Sequence, residues 1–140
     1  MKHTYLLLGL LLLFFSSCKI NQKLHGEPIG RWVYKAKLPE GTDVHRGRYD
    51  RNGYRKGTWR FRYEGRLYRK EIYKDSVATV ILYHDNRKVR ETGHTKLSTT
   101  LEGLHFYYFG PWFVYNSKGE LIEVKHFELG LLKHHTIVKP

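Results

Sequence analysis

The chain is poor in cysteine and in acidic residues. Cys18 is the only cysteine among 140 residues, so no disulfide can form within one molecule. Thirteen Asp and Glu stand against 25 Lys and Arg, which gives a formal net charge of +12. The electrostatic field of a protein with a net positive charge favours anionic partners, such as phosphate head groups, acidic polysaccharide, nucleic acid or an acidic protein. The alternative is a solvated basic surface that has no specific partner.

Motifs of catalytic and metal sites are also missing. The nine histidines include no His-x-x-Glu-His spacing, and the chain has neither a Gly-x-Ser-x-Gly elbow nor a glycine-rich phosphate loop. We therefore predict a protein that is not an enzyme and that holds no metal and no cofactor. One alternative stays open, a hydrolase that brings His105 and His126 together with a carboxylate in a pocket.

There is one long hydrophobic run, and it lies at the N-terminus. The run from Leu6 to Phe15 has ten residues, too few to cross a bilayer about 30 Å thick as a helix. Lys2 precedes it, and the small residues Ser16 and Ser17 separate it from Cys18, which is the layout of a secretory signal peptide. Its end resembles the lipobox of bacterial lipoproteins, although a phenylalanine stands where that pattern usually has leucine.

This resemblance sets the expected organisation of the chain. We predict a signal peptide at residues 1–17, an acylated Cys18 with a polar tether at 18–29, and one domain at 30–140. The mature chain keeps 24 basic and 13 acidic residues, a formal charge of +11. The resemblance implies a membrane anchor that includes palmitate, the lipid bilayer as a partner, and a place in the bacterial cell envelope, on the periplasmic side of the outer membrane. Nucleic acid is not expected as a partner there.

The domain shows the period of two that is typical of strands. In the stretch 58–63 aromatic residues alternate with Thr and Arg, so the aromatics fall on one side of an extended chain and the arginines on the other. Glu64-Gly65 predicts a tight turn into a return strand at 67–73. No stretch after residue 17 has a period of 3.6, so we predict an all-β fold.

Further hairpins follow along the chain. Turns are predicted at 52–53, 84–88 and 116–119, and strands at 77–83, 104–109, 112–115 and 121–127. Gly110-Pro111 predicts a break between two of these strands. The polar, Ser/Thr-rich residues 95–103 predict a loop. Residues 131–140 are either a last strand or a loose tail.

A Gly-x-Trp step occurs three times and includes every tryptophan of the chain. The residues of this repeat are Gly30, Trp32, Gly57, Trp59, Tyr63, Gly110, Trp112 and Tyr115. We expect the glycines to allow bends and the tryptophans to be core, the alternative being a stacking platform for sugars or bases. The pattern Gly-x-Trp-x-x-Tyr, followed by a turn with Gly and then Leu121, is similar to the MORN-repeat variant of bacterial proteins. The resemblance implies an elongated antiparallel sheet of consecutive hairpins without catalytic residues; some such proteins are labelled antitoxin-like.

The basic residues are densest in and before the hairpin at 58–73. We predict contact with a ligand at Arg60, Arg62, Arg66, Arg69 and Lys70, which Arg46, Arg48, Arg51, Arg55 and Lys56 precede in the chain. The expected role is that of a non-catalytic binding or scaffolding module, with anionic lipid, polysaccharide or an envelope protein as partner. The alternative is an antitoxin-like or inhibitor protein that binds one specific protein.

Overall fold

The computed structural model describes residues 19–100 and 103–139. The predicted signal peptide and Cys18 lie outside the described residues. Within the described ranges, no helix is long and apolar enough to reach across a bilayer.

Ten strands form one antiparallel sheet in which the spatial order of the strands is their order in the sequence. The strands are β1 (Gln22–Leu24), β2 (Glu27–Leu38), β3 (Gly41–Tyr49), β4 (Arg55–Tyr63), β5 (Arg66–Lys74), β6 (Val77–Tyr83), β7 (Val89–Thr100), β8 (Gly103–Tyr115), β9 (Leu121–Glu128) and β10 (Leu131–Ile137). Every connection is therefore a hairpin, and the predicted all-β sheet of consecutive hairpins is confirmed.

The tight turn predicted between β4 and β5 has the backbone that its residues favour. Glu64 and Gly65 both have positive φ, 47° and 78°. Two consecutive residues with positive φ characterise the type I′ turn, whose twist matches that of the flanking strands. The turns predicted at 52–53, 84–88 and 116–119 also lie between the strands that the sequence indicates.

Some segments that the sequence predicts as irregular are strands. The loop expected at 95–103 is wrong, since β7 runs on to Thr100 and β8 starts at Gly103. Thr95 pairs there with Tyr108, and the strong β-propensity of threonine beside an aromatic partner outweighs the polarity of the stretch. Gly110-Pro111 does not break the strand, because Gly110 bends β8 at φ 66° without ending it.

Both ends of the described chain also join the sheet. The segment predicted as a tether contains β1 and the first residues of β2, which form a short hairpin. At the other end, residues 131–137 form β10, so of the two expectations for that segment the last strand is correct. The sheet therefore has β1 and β10 as its two edges.

The sheet has two unlike faces. Cross-strand partners project from the same face of a sheet, and Trp59, Glu71 and Val80 are such partners. We call their side the aromatic face. The buried residues on it are Trp32, Tyr49, Trp59, Phe61, Glu71, Tyr73, Ala78, Val80, Thr95 and Trp112. The other side, which we call the open face, carries the register partners Arg46, Arg60, Lys70, Ile81, Thr92 and Phe113.

Two tryptophans pack directly on glycines of the preceding strand. A Cβ on Gly47 would lie 2.1 Å from the Trp59 ring, and one on Gly93 would lie 2.2 Å from the Trp112 ring. The Trp59 indole N–H donates to the Arg48 carbonyl at 3.0 Å, and the Trp112 indole N–H donates to the His94 carbonyl at 3.2 Å. In both cases the acceptor is one residue after the glycine. Both indoles are fully buried, so they form core and not an exposed stacking platform.

Candidate anion-binding face

Basic side chains collect on the open face of the first half of the sheet. They form three rows of cross-strand partners on neighbouring strands. The rows are Arg31, Arg48 and Lys56; Arg46, Arg60 and Lys70; and Lys35 with Arg62, which lie on either side of Val44. We call these eight cations the basic stripe. It crosses β2 to β5, a width of about 14 Å at the usual spacing between strands.

The central row of the basic stripe, Arg46, Arg60 and Lys70, has no compensating carboxylate among the described residues. The positions that separate the cations of the stripe on this face hold Val33, Val44, Thr58 and Leu67. Within residues 19–100 and 103–139, no ion pair links Arg46, Arg60 or Lys70 to an acidic side chain. The positive charge of this central row is therefore not paired with a carboxylate in the described ranges.

Like charges face each other directly in the stripe. Arg46 pairs with Arg60, and Arg60 pairs with Lys70. Side chains directly opposite each other have Cβ atoms about 5 Å apart, where like charges destabilise a sheet. An anion bound across these strands would remove this repulsion, and the row is therefore a site at which an anionic ligand would be stabilised.

The ligand contacts predicted from the sequence do not share one surface. Arg60, Arg62 and Lys70 lie on the open face, in the basic stripe. Arg66 starts β5 and pairs with Asp85 at 3.1 Å, where both side chains are more than half exposed. The fifth residue, Arg69, lies on the aromatic face, because a register shift after Phe61 displaces the return strand.

Arg69 belongs to a buried network around Glu71. The Glu71 side chain is 3% exposed, and it pairs with Arg69 and, at 3.4 Å, with Arg55. The Tyr73 hydroxyl donates to the same carboxylate at 2.5 Å. The Arg55 guanidinium also lies 4.6 Å from the centre of the Trp59 ring. These contacts tie β4 and β5 together, so Arg69 is engaged within the fold.

The network shifts the acid–base behaviour of its members. Burial, followed by the hydrogen bond to Glu71, raises the pKa of Tyr73 to about 12. Burial lowers the pKa of Arg55, but its hydrogen bond to Tyr73 and further contacts outweigh this, so the pKa of Arg55 is raised. Tyr73 therefore stays neutral at physiological pH and acts as a hydrogen-bond donor.

Two members of the stripe were not predicted from the sequence. Arg31 and Lys35 lie on β2 and precede the dense basic segment in the sequence, yet the register places Arg31 opposite Arg48 and Lys35 opposite Val44, within the stripe. A signal for them existed, since cations alternate with Trp32 and Tyr34 along β2 as they alternate with aromatics along β4.

The histidines considered for a hydrolase are not brought together. His105 pairs with Ser98, whereas His126 pairs with Pro111, six positions further along β8 and thus about 20 Å away. The ring of His126 stacks on that of His134, with centres 5.1 Å apart. In the described ranges no group of three or more His, Cys, Asp or Glu could hold a metal ion.

The chemistry that this face supports is the binding of an extended anion. The stripe offers Arg and Lys donors on one face of the sheet, and it brings no described carboxylate or histidine among them. Compared with protein-family models, with curated proteins and with solved structures, the chain shows no significant match.

Proposed function

We propose that the protein is an envelope lipoprotein that acts as a non-catalytic binding module, with its open face against an anionic lipid surface. The observation that carries the proposal is the basic stripe, whose central row Arg46, Arg60 and Lys70 lies on one face without carboxylates between its cations. Because these cations share one face of the sheet, they can approach a bilayer together, and each Lys or Arg near an anionic membrane contributes about 1 kcal/mol of attraction.

The position of the predicted anchor supports this orientation. Ile20 forms a bridge with Arg31, so the chain enters the sheet beside the stripe. Cys18 precedes Ile20 by two residues, which span about 7 Å when extended. An acyl group on Cys18 would therefore hold the bilayer close to the basic stripe. The basic surface would add to this lipid anchor an attraction to anionic lipid that orients the sheet on the membrane.

Charge reversal in the stripe tests the proposal. The triple variant Arg46→Glu, Arg60→Glu and Lys70→Glu replaces three attractions by three repulsions. We expect its affinity for vesicles of phosphatidylcholine and phosphatidylglycerol to fall by about 100-fold or more, from about 1 kcal/mol per charge. Cosedimentation with vesicles measures the affinity, and raising the salt concentration should weaken wild-type binding because exposed charges are screened.

The matched control changes the net charge equally at other sites. Lys23→Glu, Arg51→Glu and Lys133→Glu lie on β1, in the β3–β4 turn and on β10. We expect this variant to lose far less affinity than the stripe variant. Equal losses would show that only net charge matters, and unchanged binding of the stripe variant would contradict the proposal. Binding to acidic polysaccharide but not to vesicles would reassign the stripe to a different polyanion.

A second candidate function, an antitoxin-like or inhibitor protein, is favoured by the edge at β10. All seven residues of β10 are exposed, with Leu131 at 65% and Ile137 at 64%. Residues 19–88 carry 18 Lys and Arg against 8 Asp and Glu, whereas residues 89–140 carry 6 against 5. This edge is thus apolar and nearly neutral, and an edge strand can pair with a strand of another protein.

A pull-down separates the two candidates. A protein captured in stoichiometric amount at high salt, and lost when Leu131 and Ile137 are both replaced by Lys, would favour the protein partner. Purely electrostatic binding to a lipid surface weakens at high salt. Capture that Leu131→Lys and Ile137→Lys leave unchanged would contradict a role for the β10 edge.

A further inference from the structure

A second feature of the open face lies beyond the basic stripe. Two turns, between β6 and β7 and between β8 and β9, border an open cavity of about 640 Å³. We call it the turn cavity. Its lining consists of Ile81, Arg87, Lys88, Val89, Thr92, Tyr115, Lys118 and Gly119. The volume is within the range of about 300–1,000 Å³ that is usual for sites of small ligands.

The turn cavity lies next to the stripe on the open face. Lys70, the last cation of the central row, pairs with Ile81, and Ile81 pairs with Thr92. Ile81 and Thr92 belong to the lining, so the cavity begins one strand beyond the stripe on the same face of the sheet. An anion held at the stripe and one held in the cavity would therefore approach the protein from the same side.

Hydrogen bonds between the two turns fix the walls of the cavity. The His84 Nε2 atom donates to the Tyr115 carbonyl at 2.9 Å. The Asn86 side-chain amide donates to the Ser117 carbonyl at 2.7 Å, and Lys88 Nζ donates to the adjacent Lys118 carbonyl at 2.6 Å. Turns held in this way lose little conformational entropy when a ligand binds, which favours affinity.

The charge of the lining is entirely positive. Arg87, Lys88 and Lys118 belong to it, and no Asp or Glu does. The acidic residues nearest in sequence are engaged: Asp85 pairs with Arg66, Glu91 pairs with Lys125, and the Glu120 carboxylate accepts a hydrogen bond from the side chain of Asn116. Lys88 donates one of its three N–H groups to a carbonyl, so two remain for a ligand.

The floor of the cavity is apolar. Ile81, Val89 and Tyr115 are each half-buried there, beside the three cations. A simple inorganic anion would leave these side chains uncovered, whereas an anion with an apolar substituent would cover them and gain hydrophobic free energy. A phosphate monoester matches the cations best, because it carries a charge near −2 and three strong acceptor oxygens.

We propose that the turn cavity binds an organic phosphate, with the phosphoryl group at Arg87, Lys88 and Lys118 and the apolar substituent on the Ile81–Val89–Tyr115 floor. The phosphate can come from a lipid headgroup or from a soluble ester. If it is a lipid headgroup, the inference rests on the proposed function and gives it a headgroup-specific subsite. If it is a soluble ester, the site stands independently of the membrane.

Calorimetric titration of the full chain in a maltoside detergent tests the site with two soluble probes. We expect phenyl phosphate to bind with one-to-one stoichiometry. Inorganic phosphate should bind with an affinity at least about tenfold lower, because it lacks the apolar group. The variant with Arg87→Gln and Lys118→Gln should weaken phenyl phosphate binding by about tenfold or more. The matched control, Lys23→Gln with Lys133→Gln, should bind phenyl phosphate as the wild type does.

Failure of this inference and failure of the proposed function give different results. The stripe variant with Arg46→Glu, Arg60→Glu and Lys70→Glu should keep most of its affinity for phenyl phosphate while losing vesicle binding. The site is overturned if phenyl phosphate shows no saturable binding, or if Arg87→Gln with Lys118→Gln leaves that binding unchanged. Neither result would affect binding of the stripe to phosphatidylglycerol vesicles.

Vesicles distinguish the two sources of the phosphate. Wild-type protein is compared on vesicles with phosphatidate, a monoester, and with phosphatidylglycerol, a diester, at equal surface charge. A preference for phosphatidate that disappears with Arg87→Gln and Lys118→Gln supports the site and assigns it to a lipid headgroup. Equal binding to both vesicles, together with saturable phenyl phosphate binding, supports the site and assigns it to a soluble ester.

Discussion

The two faces of the sheet are built from alternate residues of the same strands, yet they treat charge in opposite ways. On the aromatic face, Arg55 and Arg69 are compensated by Glu71 and lie over aromatic rings. On the open face, Arg46 and Arg60 stand directly opposite each other without a described carboxylate beside them. One face therefore stabilises the fold, and the other leaves the positive charge of this row without a described acidic partner.

The sizes of the two effects explain how one sheet can support both. A buried tryptophan removes about 150–250 Å² from water, which at about 25 cal/mol per Å² contributes several kcal/mol. A pair of like charges across two strands costs well under about 1 kcal/mol. The packing of Trp59 and Trp112 thus offsets the repulsion in the basic stripe. Substitutions on the aromatic face should change stability, and those on the open face should change binding.

The largest effect is expected where the tryptophans pack on glycines. Gly93→Ala places a methyl group within the ring of the fully buried Trp112, and Gly47→Ala does so at Trp59. We expect each to lower the free energy of unfolding by about 3 kcal/mol or more, because the indole must leave its position. Urea denaturation followed by tryptophan fluorescence measures the loss.

A third glycine serves as the control for this prediction. A Cβ on Gly65 would meet nothing within 4 Å, although its φ is 78°. Gly65→Ala should therefore cost only the backbone strain of about 1–2 kcal/mol. If Gly93→Ala were no more destabilising than Gly65→Ala, the close approach of indole and glycine would not be the basis of the core.

The next effect concerns the buried carboxylate. Glu71→Gln removes the charge that compensates Arg55 and Arg69, and we expect a loss of about 2 kcal/mol in the free energy of unfolding. The loss stays below that of a fully buried pair because both arginines are about one-third exposed and regain water. Denaturation at pH 7 measures it, and an unchanged midpoint would contradict the stabilising role of the network.

Alkaline pH tests the same network at Tyr73. Its pKa is raised from the ordinary 10.0 to about 12, mainly by burial. Below pH 10 the hydroxyl is neutral in both the folded and the unfolded chain, so stability does not change. Between pH 10 and 12 only the unfolded chain ionises, and stability falls by about 2 kcal/mol. Tyr73→Phe should show a shallower decline over this range in urea denaturation, and an identical decline would contradict the assignment.

The smallest effect on stability is expected in the basic stripe. Arg46→Gln and Arg60→Gln together remove a like-charge contact between exposed side chains. We expect the free energy of unfolding to stay within about 0.5 kcal/mol of the wild type or to rise slightly. A loss of several kcal/mol in urea denaturation would show that these arginines belong to the fold and not to a binding surface.

Alternation in the sequence predicts the hairpins and the division into two faces, because the side-chain period of a strand fixes which residues share a side. It does not predict the register between strands. Gly47 and Gly93 become essential only because they lie under indoles 12 and 19 positions further along the chain. Arg69 was assigned to the ligand-binding surface, since the register shift after Phe61 has no clear signal in the sequence.

The turn cavity could not be predicted from the sequence either, because it depends on which turns lie side by side in the sheet. Its cations come from two hairpins that are separated by a full strand pair, β7 and β8. The residues Arg87-Lys88 and Lys118 each look like ordinary polar turn residues in the sequence. Only the hydrogen bonds between the turns, such as that from Asn86 to the Ser117 carbonyl, bring them to one cavity.

Site-directed spin labelling would show most directly which face meets the membrane. With Cys18→Ser in the background, one nitroxide is placed at Thr58 on the open face or at Tyr68 near the aromatic face. On phosphatidylglycerol vesicles, the Thr58 label should lose its accessibility to a water-soluble nickel relaxation agent, while the Tyr68 label keeps it. Protection of Tyr68 with Thr58 still accessible, or equal accessibility at both positions in bound protein, would contradict the account.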